Sequence, residues 1–233
     1  MAGVLRLLVG LALLPACWGF ARAAADSFVV AAGGGFGVES LSLLGGIVIF
    51  VVCWFSAPHP VKTYVLGHEL THALWGLLFG AMPHDVRVGA SGGSVKLSKS
   101  NVAITLAPYF FPFYTFVVIL VALGVMAFVR PLPWLPLWLF LVGFTWAFHI
   151  LFTLETLMQR QPDVTLYGRV FSWTVIFLAN VAIVLVWLAL VTPLTFSGLG
   201  GFLLRRMSDA YAGVGSATTF VFNWIVGLCS RTS

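Results

Sequence analysis

His68-Glu69-Leu70-Thr71-His72 places two imidazoles four residues apart, with a carboxylate next to the first. On a helix, residues four apart share a face, so both rings can reach one metal ion. Glu69 sits one position round, where it can hold a metal-bound water and take its proton. The surrounding run, Thr63 to Met82, has Tyr64, His68, Glu69 and His72 as its only ionisable side chains. Charge inside a membrane-length apolar stretch is costly and marks function. The pattern predicts water chemistry on a metal ion at membrane depth. Zinc suits two imidazoles and a carboxylate, because its catalytic sites keep one coordination position open.

A third protein ligand must come from elsewhere, and the candidates are few: Asp163, Glu155, His149, Asp85, His84 and His59. Asp163 leads, because Gln161-Pro162-Asp163 directly follows an apolar span and a proline-set turn can aim a carboxylate back at a buried metal. His149 and Glu155 lie six apart on the preceding helix, so at most one of them points at the site. For His149 a hydrogen-bonded core or supporting role is the commoner one. Glu155 can be a ligand or an ordinary polar residue at a helix end.

The elements that must position these groups are apolar. The chain has 233 residues, 61% hydrophobic and 8% charged, against about 25% charged in a soluble domain. It reads as an all-α polytopic membrane protein with no sizeable soluble part. The net charge of +5 is spread along the chain, with no basic cluster of the kind that binds nucleic acid. Cys17, Cys53 and Cys229 form no CxxC pair and read as small apolar residues. Residues 1–25 resemble a signal peptide or signal anchor, with Arg6, an apolar run and Ala21-Arg22-Ala23. Residues 26–40 read as a connector, 41–192 as the transmembrane core, and 193–233 as a break followed by an interfacial or membrane-associated tail.

Within the core, spans are expected over Leu41–Ala57, Thr63–Met82, Val102–Val129, Trp134–Leu157 and Val170–Val191. That makes five transmembrane helices, or six with the N-terminal segment. Pro108 and Pro112 should kink the third. Pro83 to Ser100 carries two alternating runs, Val86-Arg87-Val88 and Val95-Lys96-Leu97, around a Gly-rich centre. It reads as a short β-hairpin or a Gly-rich re-entrant loop. Basic residues divide almost evenly between alternate loops, so the positive-inside rule gives no orientation.

Four features together resemble the site-2 protease family of intramembrane zinc metalloproteases (M50-type). They are HExxH at His68–His72 within an apolar run, the strand-like Gly-rich segment Val86–Leu97 after it, Pro162-Asp163 near a later span, and a small, almost wholly apolar chain. The resemblance covers about Val61 to Leu190. It implies that His68, His72 and Asp163 bind Zn2+, that Glu69 is the general base on a zinc-bound water, and that the substrate is a transmembrane segment of another protein. It also implies an integral protein of the bacterial inner (plasma) membrane. The hairpin residues Gly92, Gly93 and Val95 would then hold the unwound substrate by β-addition. Gln161-Pro162-Asp163-Val164 departs from the family's usual Asp-Gly at the third ligand, and there is no inserted PDZ-like module. Other readings are a membrane zincin with Glu155 as third ligand, a metal transporter, and a non-catalytic membrane scaffold.

Overall fold

Proline and glycine divide the chain into nine helices and one hairpin among the residues described by a computed structural model, 2–89 and 92–229. In order these are α1 (Ala2–Gly33), α2 (Val38–Ser56), α3 (Val61–Leu78), β1 (Pro83–Gly89), β2 (Gly92–Leu97), α4 (Val102–Leu106), α5 (Phe113–Phe128), α6 (Leu135–Leu157), α7 (Pro162–Leu166), α8 (Arg169–Val191) and α9 (Phe196–Cys229). They form two compact units, Met1–Gly35 with Trp173–Ser233, and Phe36–Ser172.

In the first unit α1 packs on α9. Gly19 meets the α9 backbone so closely that a Cβ there would lie 3.0 Å from the Arg206 carbonyl oxygen. Asp26 pairs with Arg206, and the Tyr211 hydroxyl donates to the Ala12 carbonyl at 2.9 Å. Two expectations change here. The segment expected as a connector is mostly helical, because α1 runs unbroken to Gly33. The C-terminal break shrinks to the few residues before Phe196, because α9 starts there and continues to Cys229. Packing along a partner helix outweighs the helix-weakening of its glycines.

The second unit carries the predicted chemistry. Pro58-His59-Pro60 separates α2 from α3. Phe50 of α2, Tyr64 of α3, and Ala147, Phe148 and Phe152 of α6 form its aromatic core. Tyr64 stacks on Phe152 with centroids 4.8 Å apart and planes 9° from parallel, which fixes α3 against α6. The Pro108–Pro112 region bends its apolar segment by 85°, between α4 with its following 3-10 turn and α5.

The hairpin is antiparallel, with Val86 opposite Val95 and Val88 opposite Gly93. Ala90 and Ser91, at the expected turn, lie outside the described residues. The register is irregular between His84 and Val86. Asp85 sits there with φ of 46°, a left-handed conformation that aspartate tolerates better than most residues.

Among the described residues, α1, α2, α6 and α8 are long and apolar enough to cross a membrane, and the bent pair makes a fifth if it is one span. The HExxH helix is not among them. Its expected run to Met82 stops at Leu78, and Lys62, His68, Glu69 and His72 make its 18 residues too polar. The described residues are thus mostly helical and membrane-like, with the HExxH motif on a more polar helix of the second unit.

Candidate metal centre

Helix α3 is shaped for close packing on several sides. It ends in a Schellman motif: Ala81 N–H donates to Gly76 O at 2.8 Å and Gly80 N–H to Leu77 O at 2.9 Å. Gly80 has φ of 69°, the left-handed conformation this cap requires. Gly67 admits the Tyr114 ring, which a Cβ would meet at 2.8 Å, and Gly76 admits Leu97 of β2, at 2.9 Å. The helix therefore lies against α5 on one side and the hairpin on the other.

The turn after α6 returns a carboxylate to α3. Gln161 Nε2 donates to Thr156 O at 3.1 Å, and Pro162 opens α7 with Asp163 in its first turn. Ser172 Oγ donates to Val164 O at 3.0 Å, tying the start of α8 to α7. The result places Asp163 Oδ2 3.7 Å from His68 Nε2 and 3.4 Å from His72 Nε2. One ligand atom from each of the three residues lies within 4.8 Å of the others.

Protonation shows what this cluster is suited to hold. The Ile104 carbonyl lies 3.0 Å from His72 Nδ1 and can only accept, so Nδ1 carries the proton. The neutral ring then presents the Nε2 lone pair to the cluster. Ile104 is itself set by Asn101, whose side-chain oxygen caps α4 by accepting from Ile104 N–H at 2.9 Å. With the rings in that tautomer, electron-pair donors converge on one point, a group that could hold a cation. Ligand atoms around a tetrahedral ion at about 2.0–2.1 Å lie about 3.4 Å apart. The observed separations fit that better than they fit direct hydrogen bonds.

Tyr109, which sequence reading does not single out, belongs to the cluster. It is fully buried, and its hydroxyl donates to Asp163 Oδ2 at 3.2 Å. No local signal marks it, because it follows Pro108 in an apolar run and meets Asp163 from 54 residues away.

The other candidates supply no atom to this group, although Glu155 lines the same cavity as its three members. Glu155 pairs with His59 at 3.7 Å, and His59 stacks on Trp54 with centroids 3.7 Å apart. Asp85 pairs with Arg87 at 2.8 Å and Lys96 at 3.6 Å. His84 lies on the exposed hairpin. His149 is buried in α6, and its ring takes no place among the three converging ligand atoms.

Glu69 lies under the hairpin. It is 6% exposed, and the backbone N–H of Val95 faces its carboxylate. Gly93 approaches so closely that a Cβ there would lie 2.6 Å from Glu69 Cγ and 2.7 Å from Val65 Cγ1. A cavity of about 670 Å³ lies beside the cluster, with His68, Glu69, His72, Asp163 and the β2 residues Gly92, Gly93 and Val95 in its lining.

Comparison with known proteins gives no match: no family model, no curated protein and no solved structure aligns with this chain.

Gly93→Ala tests whether β2 must lie this close to the site. The added methyl should push β2 off α3 and uncover Glu69, leaving the three converging side chains in place. Hydrogen exchange of β2 amides should rise by at least about tenfold, a loss of about 1.4 kcal/mol in local protection. Unchanged exchange would show that the strand is not held by this contact.

Proposed function

We propose that the protein is an intramembrane zinc-dependent endopeptidase, cleaving a peptide bond in or near a transmembrane segment of a substrate protein. The observation that carries this is the convergence of His68 Nε2, His72 Nε2 and Asp163 Oδ2 beside a buried glutamate and a cavity edged by a β-strand. His68, His72 and Asp163 would hold the ion, with Asp163 as the third ligand. Zinc, when bound, polarises the scissile carbonyl and acidifies the attacking water. Glu69 takes the proton from that water and returns it to the leaving amine. Tyr109 holds the Asp163 carboxylate in place.

The hairpin supplies the substrate surface. β2 pairs with β1 along one edge, and its Gly92, Gly93 and Val95 line the cavity beside Glu69. A substrate helix hides its carbonyls, so it must unwind, and an unwound strand can add to that edge. Gly92, with nothing within 4 Å of where a Cβ would sit, leaves room for a second backbone, while Gly93 lets β2 close over Glu69. Val95→Pro, which deletes the N–H facing Glu69, should reduce cleavage of a single-span reporter by at least about tenfold with zinc still bound. Unchanged cleavage would discard strand addition at this edge.

Metal content of protein purified in detergent tests the site. The expected result is about one zinc per chain, lost in His68→Ala and Asp163→Asn and kept in Glu155→Gln. Loss with Glu155→Gln and retention with Asp163→Asn would instead support a membrane zincin with a glutamate ligand. A folded wild type that takes up no metal when zinc is supplied would remove the enzyme reading and leave a membrane scaffold. Zinc flux in liposomes without peptide cleavage would identify a transporter.

A further inference from the structure

The two imidazoles of the HExxH motif are held differently. His72 Nδ1 donates to the Ile104 carbonyl at 3.0 Å. His68 Nδ1 is buried with no protein partner among the described residues, and the same is true of Nε2 of His149. His149 is 6% exposed and has no role in the chemistry proposed above. Both rings line one small cavity of about 20 Å³, with Tyr64, Gly67, Thr71 and Tyr114. One water needs about 10–15 Å³ and two to four polar partners.

We infer that a single buried water bridges His68 Nδ1 to His149 Nε2, making His149 a positioning residue for the metal-binding ring of His68. The hydrogen-bond roles are consistent. If Nε2 of His68 faces the metal, its proton sits on Nδ1 and must be donated. The water accepts that proton's hydrogen bond and donates to Nε2 of His149, whose own proton is then on Nδ1. Thr71 supplies a third partner. It is buried at 1% exposure, and its hydroxyl donates to Gly67 O at 2.7 Å, which leaves oxygen lone pairs free to accept from the water. Both zinc-facing imidazoles would then be oriented from behind, one by a carbonyl directly and one through water. Without the bridge, two buried polar nitrogens on rings lining one cavity stand unsatisfied, which native structures avoid.

The inference rests on the metal-centre reading, so the test separates the two. Zinc affinity is measured by chelator competition on full-length protein in detergent, for wild type, His149→Phe and His149→Gln, with metal-free unfolding temperatures alongside. Gln keeps a group that can accept from the water, and Phe fills the space with carbon. The expected result is a 10- to 100-fold weaker zinc affinity for His149→Phe, the usual cost of losing a metal ligand's supporting partner. Its metal-free unfolding temperature should be no lower than wild type, and His149→Gln should bind close to wild type. If Phe is not accommodated, His149→Leu reads the same loss. Wild-type affinity in the apolar variant, or equal loss in the apolar and Gln variants, overturns the bridge while leaving the metal centre standing. A wild type that binds no zinc overturns the metal centre, and the bridge with it.

Discussion

Glu69→Gln should lower peptide cleavage by about 10³-fold or more while zinc content stays at the wild-type level. The two side chains have nearly the same shape, so packing under Gly93 is preserved. Glu69 contributes no atom to the converging ligand set, which consists of His68, His72 and Asp163. What the amide loses is the ability to take a proton from water, and a positioned general base contributes about 10²–10⁴-fold. Burial beneath β2 places Glu69 toward the upper end, since little bulk water reaches it to act in its place. The assay is cleavage of a single-span reporter in proteoliposomes, with zinc measured on the same preparation. Wild-type cleavage would remove Glu69 from the chemistry. Loss of zinc together with activity would make it a ligand instead.

Gly143→Ala should strongly destabilise the second unit. A Cβ at Gly143 would lie 2.0 Å from the Leu43 carbonyl oxygen and 2.9 Å from the Leu43 carbonyl carbon. Its counterpart across the crossing, Gly46, is equally tight, with a Cβ 2.0 Å from the Phe140 carbonyl oxygen. Helices α2 and α6 meet backbone to backbone here, so no side-chain rotation relieves the clash and the helices must separate. Apolar helices in lipid gain little from burial and depend on such contact. The expected loss is about 3 kcal/mol or more, the top of the range for overpacking. Gly124→Ala is the control: a Cβ there meets nothing within 4 Å, so it should be neutral or stabilising by about 0.5–1 kcal/mol. Unfolding in mixed micelles reads both, and equal effects would refute the close crossing. Because α6 carries Phe148 and Phe152 against Tyr64 of α3, Gly143→Ala should also weaken zinc binding.

Much of the local structure is legible in residue order. Alternation of Val86-Arg87-Val88 and Val95-Lys96-Leu97 around a Gly-rich centre marks the hairpin, since strand side chains alternate by face. Pro108 and Pro112 mark the 85° bend, since proline removes donors and clashes with the preceding turn. The long N- and C-terminal helices are not legible as such. Glycine and polar residues weaken the pattern around Ala24–Gly33 and Phe196–Gly201, and helix continuity there depends on α1 and α9 lying along one another.

For the site, the sequence by itself determined that His68 and His72 share a helix face with Glu69 one step round, because the period of a helix is a local property. It also narrowed the candidate third ligand to six residues by chemistry alone. Tertiary structure shows which of them lies beside the two imidazoles. Asp163 reaches the imidazoles because a proline-led turn and the Tyr109 hydroxyl aim it there, while Glu155 is drawn aside to His59. Only the packed chain brings Val95 over Glu69 and His149 to the cavity behind His68. These are contacts between elements dozens of residues apart. They depend on how close two backbones can approach, and no periodicity along a single segment records that distance.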